Sequence, residues 1–489
     1  MEIISLSENA KTEYCASVVR INELKPVENS DFLCQTIVDG YSIVVRKDEV
    51  QEGDLMIYCC NETQLNKEFL SVNNLFEMSS RELNSNYQEV EELLAENKND
   101  EAKTKVGFFN KHGRVKMIRL RGCPSMGYLV KQNTIAKWKP AFANVNLEGY
   151  IGKDFDTICG ELFIKVYVPD TQEKSTLSKS SKREKQTYRY NRLIDGEFHF
   201  HYETNPLNKD IGFVKPSDIV TVSCKQHGTS IVIANIPVKK PKLAHSNILW
   251  FNKVMNILYS KLPSKWQKYT IGYGNVYSSR SVIKNQFINL KTTELDIEEP
   301  DIWGEYNNLL KDYVEEGMTI YGEICGYLTG CQKMIQKGYD YGCAEGENHI
   351  IIYRITTKDM EGHLLEWNIL DIKNWTEKLI SSHPELVNRI RPINVLYHGT
   401  LGELYPELPL DDQWHEKVLE KLKSDTAHFG MELNEPLCIN KVPREGICLR
   451  IDDDTIAECF KLKCVKFLEK ERALIDKGEV DMEMFASSY

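Results

Sequence analysis

The sequence lacks any hydrophobic run long enough to cross a membrane. No window approaches the roughly 18 consecutive apolar residues that a membrane-spanning helix needs. The first residues, Met1 to Ser5, do not have the basic and apolar regions of a signal peptide. We therefore predict a protein that is neither secreted nor embedded in a membrane.

The chain also lacks the cysteine spacings of metal sites and disulfide frameworks. Its 14 cysteines are scattered and contain no Cys-x-x-Cys pair. The spacing of Cys325, Cys331, Cys343 and His349 does not fit a common structural zinc site. In a chain of this length without a secretory signal, we expect reduced thiols and a cytoplasmic location.

An excess of positive charge is absent as well. The 61 lysines and arginines against 72 aspartates and glutamates give a formal net charge of −11. This balance excludes a surface that is basic throughout, although it leaves room for a local basic groove. The charge is unevenly spread, because residues 77–101 are strongly acidic and residues 171–192 are strongly basic.

Turn residues and short apolar runs indicate the organisation of the 489 residues, which predict two or three domains. Between residues 12 and 60, and again after 116, closely spaced strands predict a small β-barrel or sandwich. The acidic, helix-favouring stretch around 77–104 is interpreted as a solvated insertion. Residues 169–192 are interpreted as a basic, flexible linker, and residues 193–489 mix strands with helices, including one predicted from Ser246 to Lys261. The overall class is therefore α+β.

Lys225 lies in a short polar loop between two β-branched runs, within residues 219–236. The pattern predicts strand, tight loop and strand. Gly228 in the same loop permits close backbone approach or positive φ. Two interpretations of the lysine remain open at this point: a surface charge on a hairpin, or an amine held in a pocket for chemistry.

Several charged or aromatic residues later in the chain are of the types that a lysine held in a pocket for chemistry requires. Glu323 interrupts an apolar strand, and Glu445 stands with a glycine at the beginning of another. Lys461 and Lys463 are two residues apart, so on a strand both project to one face. Taken singly, each of these residues, and likewise Arg280 and Tyr353, has an ordinary structural interpretation. It is an edge charge, a capped strand end or a core aromatic. Together they supply what nucleotidyl transfer to a lysine needs: a nucleophile, cations for a phosphate, acids for a hard metal, and a stacking surface.

The same residues, read in order, resemble the motifs of the covalent nucleotidyltransferases, the superfamily of DNA ligases, RNA ligases and mRNA capping enzymes. The matching segments are Lys225-Gln-His-Gly, Ser279-Arg280, Tyr321-Gly-Glu323, Ile352-Tyr353, Glu445-Gly446 and Lys461-Leu-Lys463. The run from Lys225 to Ser230 is most similar to the RNA ligase branch typified by the second RNA ligase of T-even phages. DNA ligases and capping enzymes usually carry Asp where this chain has His227.

The N-terminal third resembles the OB-type module that precedes the transferase domain in Deinococcus-like and Naegleria-like RNA ligases. The matching segments are Lys116 to Val130 and Gly149 to Asp156. The resemblance implies an OB-like nucleic-acid-binding module over residues 1–168. It also implies a nucleotidyltransferase domain, an ATP-grasp-like ligase adenylation domain of antiparallel sheets with flanking helices, over residues 193–489.

For activity, the resemblance implies an ATP-dependent RNA ligase that uses Mg²⁺ or Mn²⁺ and works as a monomer where nucleic acid is present. Lys225 would carry AMP, which then moves to a 5′-phosphate before a 3′-hydroxyl attacks, at RNA ends or at nicks in RNA duplexes or RNA/DNA hybrids. The alternatives are a DNA ligase, a capping guanylyltransferase, a protein adenylyltransferase, or a non-catalytic RNA-binding protein on the same fold.

The resemblance also implies roles for individual residues. Arg280 and Glu323 would lie near the ribose, Tyr353 would stack on adenine, and Lys461 and Lys463 would contact the α-phosphate. Glu445, together with Glu323, would bind the metal. His227 and Gly228 would belong to the nucleotide site, and the part of His227 is open because relatives carry Asp there. For nucleic acid, the candidates are Arg119 and Arg121, expected on one strand face, and the basic residues Lys182 and Arg183.

Overall fold

The chain folds into two units in the computed structural model. The N-terminal unit comprises Met1–Val168 with Glu471–Ala473, and the C-terminal unit comprises Pro169–Lys470 with Leu474–Tyr489. The structure describes residues 3–8, 10–168, 189–202, 204–241, 254–255, 258, 268–289, 294–295, 301–359, 361–452 and 457–478. Within these ranges, no helix combines the length and the apolar character needed to cross a membrane.

Short antiparallel strands build the N-terminal unit, as the turn residues predict. Asp39 and Gly40, with φ of 47° and 69°, form the two-residue turn between Leu33–Val38 and Tyr41–Arg46. The strands, sheet by sheet, are Tyr128–Val130, Leu55–Cys59, Ala16–Arg20 and Asp154–Phe155; Lys25–Pro26, Leu33–Val38 and Tyr41–Arg46; Ile4–Ser5, Thr157–Ile158 and Glu161–Leu162; Ile164–Val166, Thr63–Leu65 and Arg114–Val115; and Cys123–Met126 with Met117–Leu120.

Two helices of the N-terminal unit lie in the acidic stretch. The helices of this unit are Lys67–Val72, Tyr87–Ala95, Asn99–Thr104 and Gln132–Trp138, with 3₁₀ turns at Thr12–Tyr14, Met78–Leu83, Pro140–Asn144 and Leu147–Tyr150. The predicted helical character of the stretch is confirmed by Tyr87–Ala95. Only Val90 of that helix is buried, and its acids form ion pairs such as Glu91 with Arg81 and Glu89 with Lys105.

Two larger sheets organise the C-terminal unit. The first contains, in spatial order, Asn205–Pro206, Glu458–Lys463, Gly446–Ile451, Ile219–Lys225 and Val395–Thr400. The second contains Tyr269–Ser279, Thr229–Pro241, Thr319–Gly326, Asn348–Lys358 and Leu364–Glu366, with Ile390–Arg391 beside Asn348–Lys358. A smaller sheet contains Arg189–Asn191, Phe287–Asn289 and Glu294–Leu295. The pairs are antiparallel apart from the two-residue partners Asn205–Pro206 and Ile390–Arg391.

Helices pack on one face of each of these two sheets. Those of this region are Leu207–Asp210, Ile302–Leu310, Ile369–Ser382, Leu401–Leu404, Trp414–Ser424 and Val465–Asp476, with 3₁₀ turns at Ile211–Phe213, Lys311–Tyr313 and Pro384–Leu386. Val418 and Leu422 join the core of the first sheet, and Trp303 and Ile372 join that of the second. The α+β class is therefore confirmed, whereas the helix predicted from Ser246 to Lys261 lies largely outside the described residues.

Alternation along the strands gives the first sheet one apolar face and one polar face. Val220, Val222, Ile447, Leu449, Phe460 and Leu462 all lie in one buried cluster with the helix Trp414–Ser424. The cross-strand partners Lys225, Gly446 and Lys463, and next to them Ser223, Cys448 and Lys461, occupy the alternate positions. Since side chains alternate between faces, the polar set projects away from the helix-covered face.

Candidate active site

Lys225 stands where the chain passes from one sheet to the other. It ends the strand Ile219–Lys225 of the first sheet, and Thr229–Pro241 after it belongs to the second sheet. The predicted order of strand, tight loop and strand is confirmed, but the hairpin interpretation is wrong because the two strands pair with different neighbours. The side chain of Lys225 is 24% exposed, so solvent reaches the lysine without surrounding it.

Glu445 brings Lys225 and Lys463 together. Its Oε1 lies 3.0 Å from Nζ of Lys225 and 3.5 Å from Nζ of Lys463, and its side chain is only 3% exposed. The strand register produces this convergence, because Gly446 pairs with Lys225 on one side and with Lys463 on the other. A Cβ on Gly446 would come within 2.0 Å of the carbonyl oxygen of Leu462, so the close approach of these strands requires glycine.

Lys225, Glu445 and Lys463 form an ion triad, and their charges shift the pKa values of Glu445 and Lys225. Burial raises the pKa of the Glu445 carboxyl, but the positive charges of Lys225 and Lys463 outweigh it and bring that pKa down to about 2. Burial likewise lowers the pKa of the Lys225 amine, yet the charge of Glu445 outweighs it and the net shift is upward. Lys225 is therefore a protonated ammonium in this state, and its nucleophilic form requires a change in the charges around it.

The second carboxylate oxygen of Glu445 suits a divalent cation. Oε2 is buried and has no hydrogen-bond partner within the described ranges, and it lies 3.9 Å from Nδ1 of His227. The described residues contain no group of three or more His, Cys, Asp or Glu that could hold a metal by themselves. Mg²⁺ is nevertheless commonly bound through one or two carboxylates, with water and phosphate oxygens as its other ligands, so the residues present fit such an ion.

His227 is enclosed by aromatic rings next to this triad. The rings of Tyr339 and Phe467 each meet its imidazole edge-to-face at 5.0 Å, and its backbone N–H donates to the Tyr341 hydroxyl over 2.7 Å. Burial lowers the pKa of His227 to about 3, so the imidazole is neutral at physiological pH. It therefore contributes packing and hydrogen bonding to the site, and no charge.

Glu323 fixes the loop that follows Lys225. Its Oε1 accepts the backbone N–H of Gly228 over 2.9 Å, and the Gly228 carbonyl accepts a hydrogen bond from Gln336 over 2.7 Å. A Cβ on Gly228 would lie 2.3 Å from the carbonyl oxygen of Ile324, so this contact also requires glycine. In this structure Glu323 thus attaches the Lys225 loop to a strand of the second sheet.

Tyr353 and Arg280 come from the second sheet. The strand register shifts between Tyr321 and Gly322, so that Tyr353 is the additional residue of a β-bulge, a feature that redirects a side chain. Its hydroxyl lies 2.7 Å from Nδ1 of His201. Arg280 directly follows the strand Tyr269–Ser279, and its charge acts on His201 together with those of Lys225 and Lys461.

Comparisons with known proteins find a matching domain model for part of the chain and similar structures for most of it. Residues 15–86 match the model of an OB-fold domain family, which confirms the predicted OB-type module. No curated protein matches. Among solved structures, Naegleria gruberi RNA ligase mutants with ATP and Mn, or with AMP and Mn, have TM-scores of 0.49 at 13% and 12% identity. The alignments cover 94% of this chain and 99% or 98% of the ligase chains.

The chain is similar to an RNA ligase. A further Naegleria gruberi RNA ligase structure, with PPi, has a TM-score of 0.48 at 14% identity and covers 94% of this chain and 99% of its own.

The arginines predicted to contact nucleic acid lie in the N-terminal unit. Arg119 is in the strand Met117–Leu120, is exposed, and donates to the carbonyl of Gly122 over 2.6 Å. Arg121 lies in the turn after that strand with φ of 50°. The expectation that both share one strand face is therefore wrong, because the strand ends before Arg121. Lys182 and Arg183 lie outside the described residues.

The structure adds Gln226, which the sequence did not single out, to the hydroxyls that Thr229 and Ser230 offer in the same loop. All three residues are buried close to Lys225 in the chain, and their side-chain polar atoms have no hydrogen-bond partner among the described residues. Such atoms in a native protein call for an explanation, and a bound ligand is one. The alternation of aromatic and His residues in Phe198-His199-Phe200-His201-Tyr202 is the signal that could have directed attention to His201.

Proposed function

We propose that the protein is an ATP-dependent RNA ligase in which Lys225 becomes covalently attached to AMP. The observation that carries the proposal is the triad of Lys225, the buried Glu445 and Lys463, assembled by three adjacent strands from distant parts of the sequence. A lysine amine suits attack on a triphosphate when it lies beside a second lysine and a carboxylate, one oxygen of which has no hydrogen-bond partner in the part of the chain that the structure describes. ATP and a divalent metal, Mg²⁺ or Mn²⁺, are the ligands we propose.

In the first step, Nζ of Lys225 attacks the α-phosphorus of ATP, a phosphoramidate bond forms, and pyrophosphate leaves. Lys461 and Lys463, whose cross-strand partners are Cys448 and Gly446, neutralise charge on the α-phosphate. Glu445 would hold a divalent cation, which would supply further positive charge at the triphosphate. A Glu445 carboxylate with a second partner would stabilise the ammonium of Lys225 less, so the amine would lose its proton more easily.

The later steps use the same site. AMP passes from Lys225 to the 5′-phosphate of an RNA end, and a 3′-hydroxyl then attacks that phosphate and releases AMP, which forms the phosphodiester. We propose nicked duplexes as the preferred substrate, with Arg280 near the reacting strands. Arg119, Arg121 and the basic residues Lys182 and Arg183 are proposed to contact the nucleic-acid backbone, and the protein is proposed to act as a monomer.

Labelling with α-³²P nucleotides tests the first step. The protein is incubated with labelled ATP or GTP and Mg²⁺ or Mn²⁺, and the label retained on denatured protein is measured for wild type, Lys225→Met and Lys215→Met. Lys215 is an exposed lysine of the same unit and provides the matched control. We expect label from ATP that Lys225→Met abolishes and Lys215→Met retains. Label from GTP alone would indicate a capping guanylyltransferase, and no label would favour a non-catalytic RNA-binding protein.

A matched set of substrates tests the later steps. Nicked duplexes and single strands, with RNA or DNA on each side of the junction, separate an RNA ligase from a DNA ligase. We expect sealing to require RNA at the reacting ends. Label on Lys225 without sealing of any of these substrates would instead favour transfer of AMP to protein.

A further inference from the structure

His201 contacts Tyr353 of the candidate site although it precedes all the motif-like segments. Its Nδ1 is 2.7 Å from the hydroxyl of Tyr353, and the two rings meet edge-to-face with centroids 6.0 Å apart. The segment that carries it lies along the second sheet, where the hydroxyl of Tyr321 donates to the carbonyl of His199 and the guanidinium of Arg354 lies over the ring of Tyr202. The position of His201 is therefore fixed by contacts on several residues of its segment.

The charges of four basic residues act on His201. Burial lowers its pKa to about 3, and the positive charges of Arg280, Lys225, Arg354 and Lys461 act in the same direction. Among the basic side chains here, this imidazole is therefore uncharged at neutral pH. A neutral imidazole has one nitrogen that donates and one that accepts a hydrogen bond.

The contact with Tyr353 bears on which nitrogen donates and which accepts. A phenol hydroxyl donates readily, and when Tyr353 donates to Nδ1 the proton of the neutral imidazole is on Nε2. Nε2 has no hydrogen-bond partner among the described residues. In this tautomer His201 is an oriented, neutral N–H donor beside Tyr353, and the charges of Lys225 and Lys461 act on it.

We propose that His201 positions the ribose of the bound nucleotide, with Nε2–H donating to a ribose hydroxyl while Nδ1 holds the ring of Tyr353. This inference rests on the proposed function, in which the base stacks on Tyr353 and the α-phosphate meets Lys225 and Lys461. The ribose joins the base to the phosphate, so a donor that contacts Tyr353 and is acted on by the charges of Lys225 and Lys461 is suited to the sugar. A neutral donor suits a hydroxyl, whereas the lysines bind the negatively charged phosphates.

Nucleotides that lack one ribose hydroxyl test this role. Initial rates of Lys225 labelling are measured at low concentrations of ATP, 2′-deoxyATP and 3′-deoxyATP for wild type, His201→Phe and His201→Gln. Wild type should discriminate against one of the two deoxynucleotides. His201→Phe should reduce that discrimination by about three- to tenfold, the range of one neutral hydrogen bond. The rate at saturating ATP should change less than the KM for ATP.

The variants and controls separate positioning from folding. His201→Gln places an amide donor near the position of Nε2 and should recover part of the discrimination that His201→Phe loses. His199→Phe, the same change at an exposed position two residues away, should retain it in full. Circular dichroism verifies that each variant is folded, and if His201→Phe does not fold, the comparison of His201→Gln and Tyr353→Phe with wild type decides.

The outcomes distinguish the two proposals. If wild type is labelled on Lys225 but folded His201→Phe discriminates as wild type does, the positioning role is wrong and the proposed function stands. If wild type takes no label from any of these nucleotides, the proposed function is wrong and the role of His201 is wrong with it.

Discussion

At the scale of single residues, Lys225 and Glu445 illustrate how a buried carboxylate holds an amine in its charged form. The 3.0 Å ion pair stabilises the ammonium, so the attack proposed for Lys225 requires that carboxylate to take another partner. The sequence places an acid next to a glycine at a strand end, but it contains no information that this acid faces Lys225. Only the register between strands that are far apart in the chain establishes the pair.

Substitution of Glu445 should make Lys225 more reactive towards a small amine reagent. Because Glu445 raises the pKa of Lys225, Glu445→Gln should move the midpoint of Lys225 acetylation by acetic anhydride to lower pH. Mass spectrometry of the peptide that contains Lys225, at a series of pH values, measures this midpoint. Glu458→Gln, at an exposed position of the neighbouring strand, is the matched control. An unchanged midpoint in Glu445→Gln would contradict the charge balance described for the triad.

His227 is a second residue whose surroundings depend on tertiary contacts. The sequence showed it only as a departure from Asp in related families, and its role stayed open. The structure places it between the rings of Tyr339 and Phe467, where a charged side chain would be costly. Both rings come from parts of the chain that no local pattern connects to residue 227.

At the scale of elements, the crossing between the two sheets is the feature on which the site depends. The loop from Gln226 to Gly228 leaves the first sheet and is attached to the second through Glu323. The sequence predicted both flanking strands correctly, since alternation of β-branched residues is a local property. It could not predict that they join different sheets, because pairing depends on partners such as Gly446–Ile451 and Thr319–Gly326.

Addition of a methyl group at Gly228 should disrupt this crossing. A Cβ there would lie 2.3 Å from the carbonyl oxygen of Ile324 and 2.9 Å from the sulfur of Cys325, so the loop or the strand must move. We expect Gly228→Ala to reduce the free energy of unfolding by about 1–3 kcal/mol and to slow Lys225 labelling. Urea unfolding and the labelling assay measure the two effects.

The control for this substitution is Gly212→Ala, where a Cβ would have no heavy atom within 4 Å. It should change neither quantity appreciably. Equal stability of Gly228→Ala and wild type would show that the loop does not need the close approach to Ile324.

At the scale of the whole molecule, we expect the two units to have different functions. All residues of the candidate site lie in the C-terminal unit, and the OB-fold match lies in the N-terminal unit. We expect a fragment of residues 193–489 to fold and to form labelled Lys225 with ATP, and a fragment of residues 1–168 to take no label. Circular dichroism and the labelling assay test both fragments. A folded C-terminal fragment without label would show that the transferase chemistry needs the N-terminal unit.

The stability of the molecule should also depend on pH through its buried histidines. His201, His227 and His349 each have a pKa of about 3 in the folded protein, mainly because of burial. The unfolded chain takes up protons as the pH falls through about 6.5, while the folded protein does not. The free energy of unfolding should therefore be highest above pH 6.5 and decrease towards pH 3, by about 1.4 kcal/mol per pH unit for each such histidine.

Urea unfolding at pH 7, 6 and 5 measures this dependence. A variant that lacks one of the buried side chains, His349→Phe, should have a smaller slope, whereas His199→Phe, at an exposed position, should have the wild-type slope. A free energy of unfolding that does not change between pH 7 and pH 5 would contradict the neutral, buried state of the three imidazoles.

Local patterns of residues specify the elements and the residue types of the site. Strands such as Leu33–Val38 and Asn348–Lys358, the helix Tyr87–Ala95 and the Asp39-Gly40 turn follow from alternation, helix-favouring composition and turn chemistry, which act over a few residues. The pairing of the strands, the contact of Glu445 with Lys225 and the contact of His201 with Tyr353 instead depend on tertiary packing. These contacts join residues separated by 150 positions or more. No local propensity specifies such pairs, because they form only when the packing of two sheets and their helices brings the strands into register.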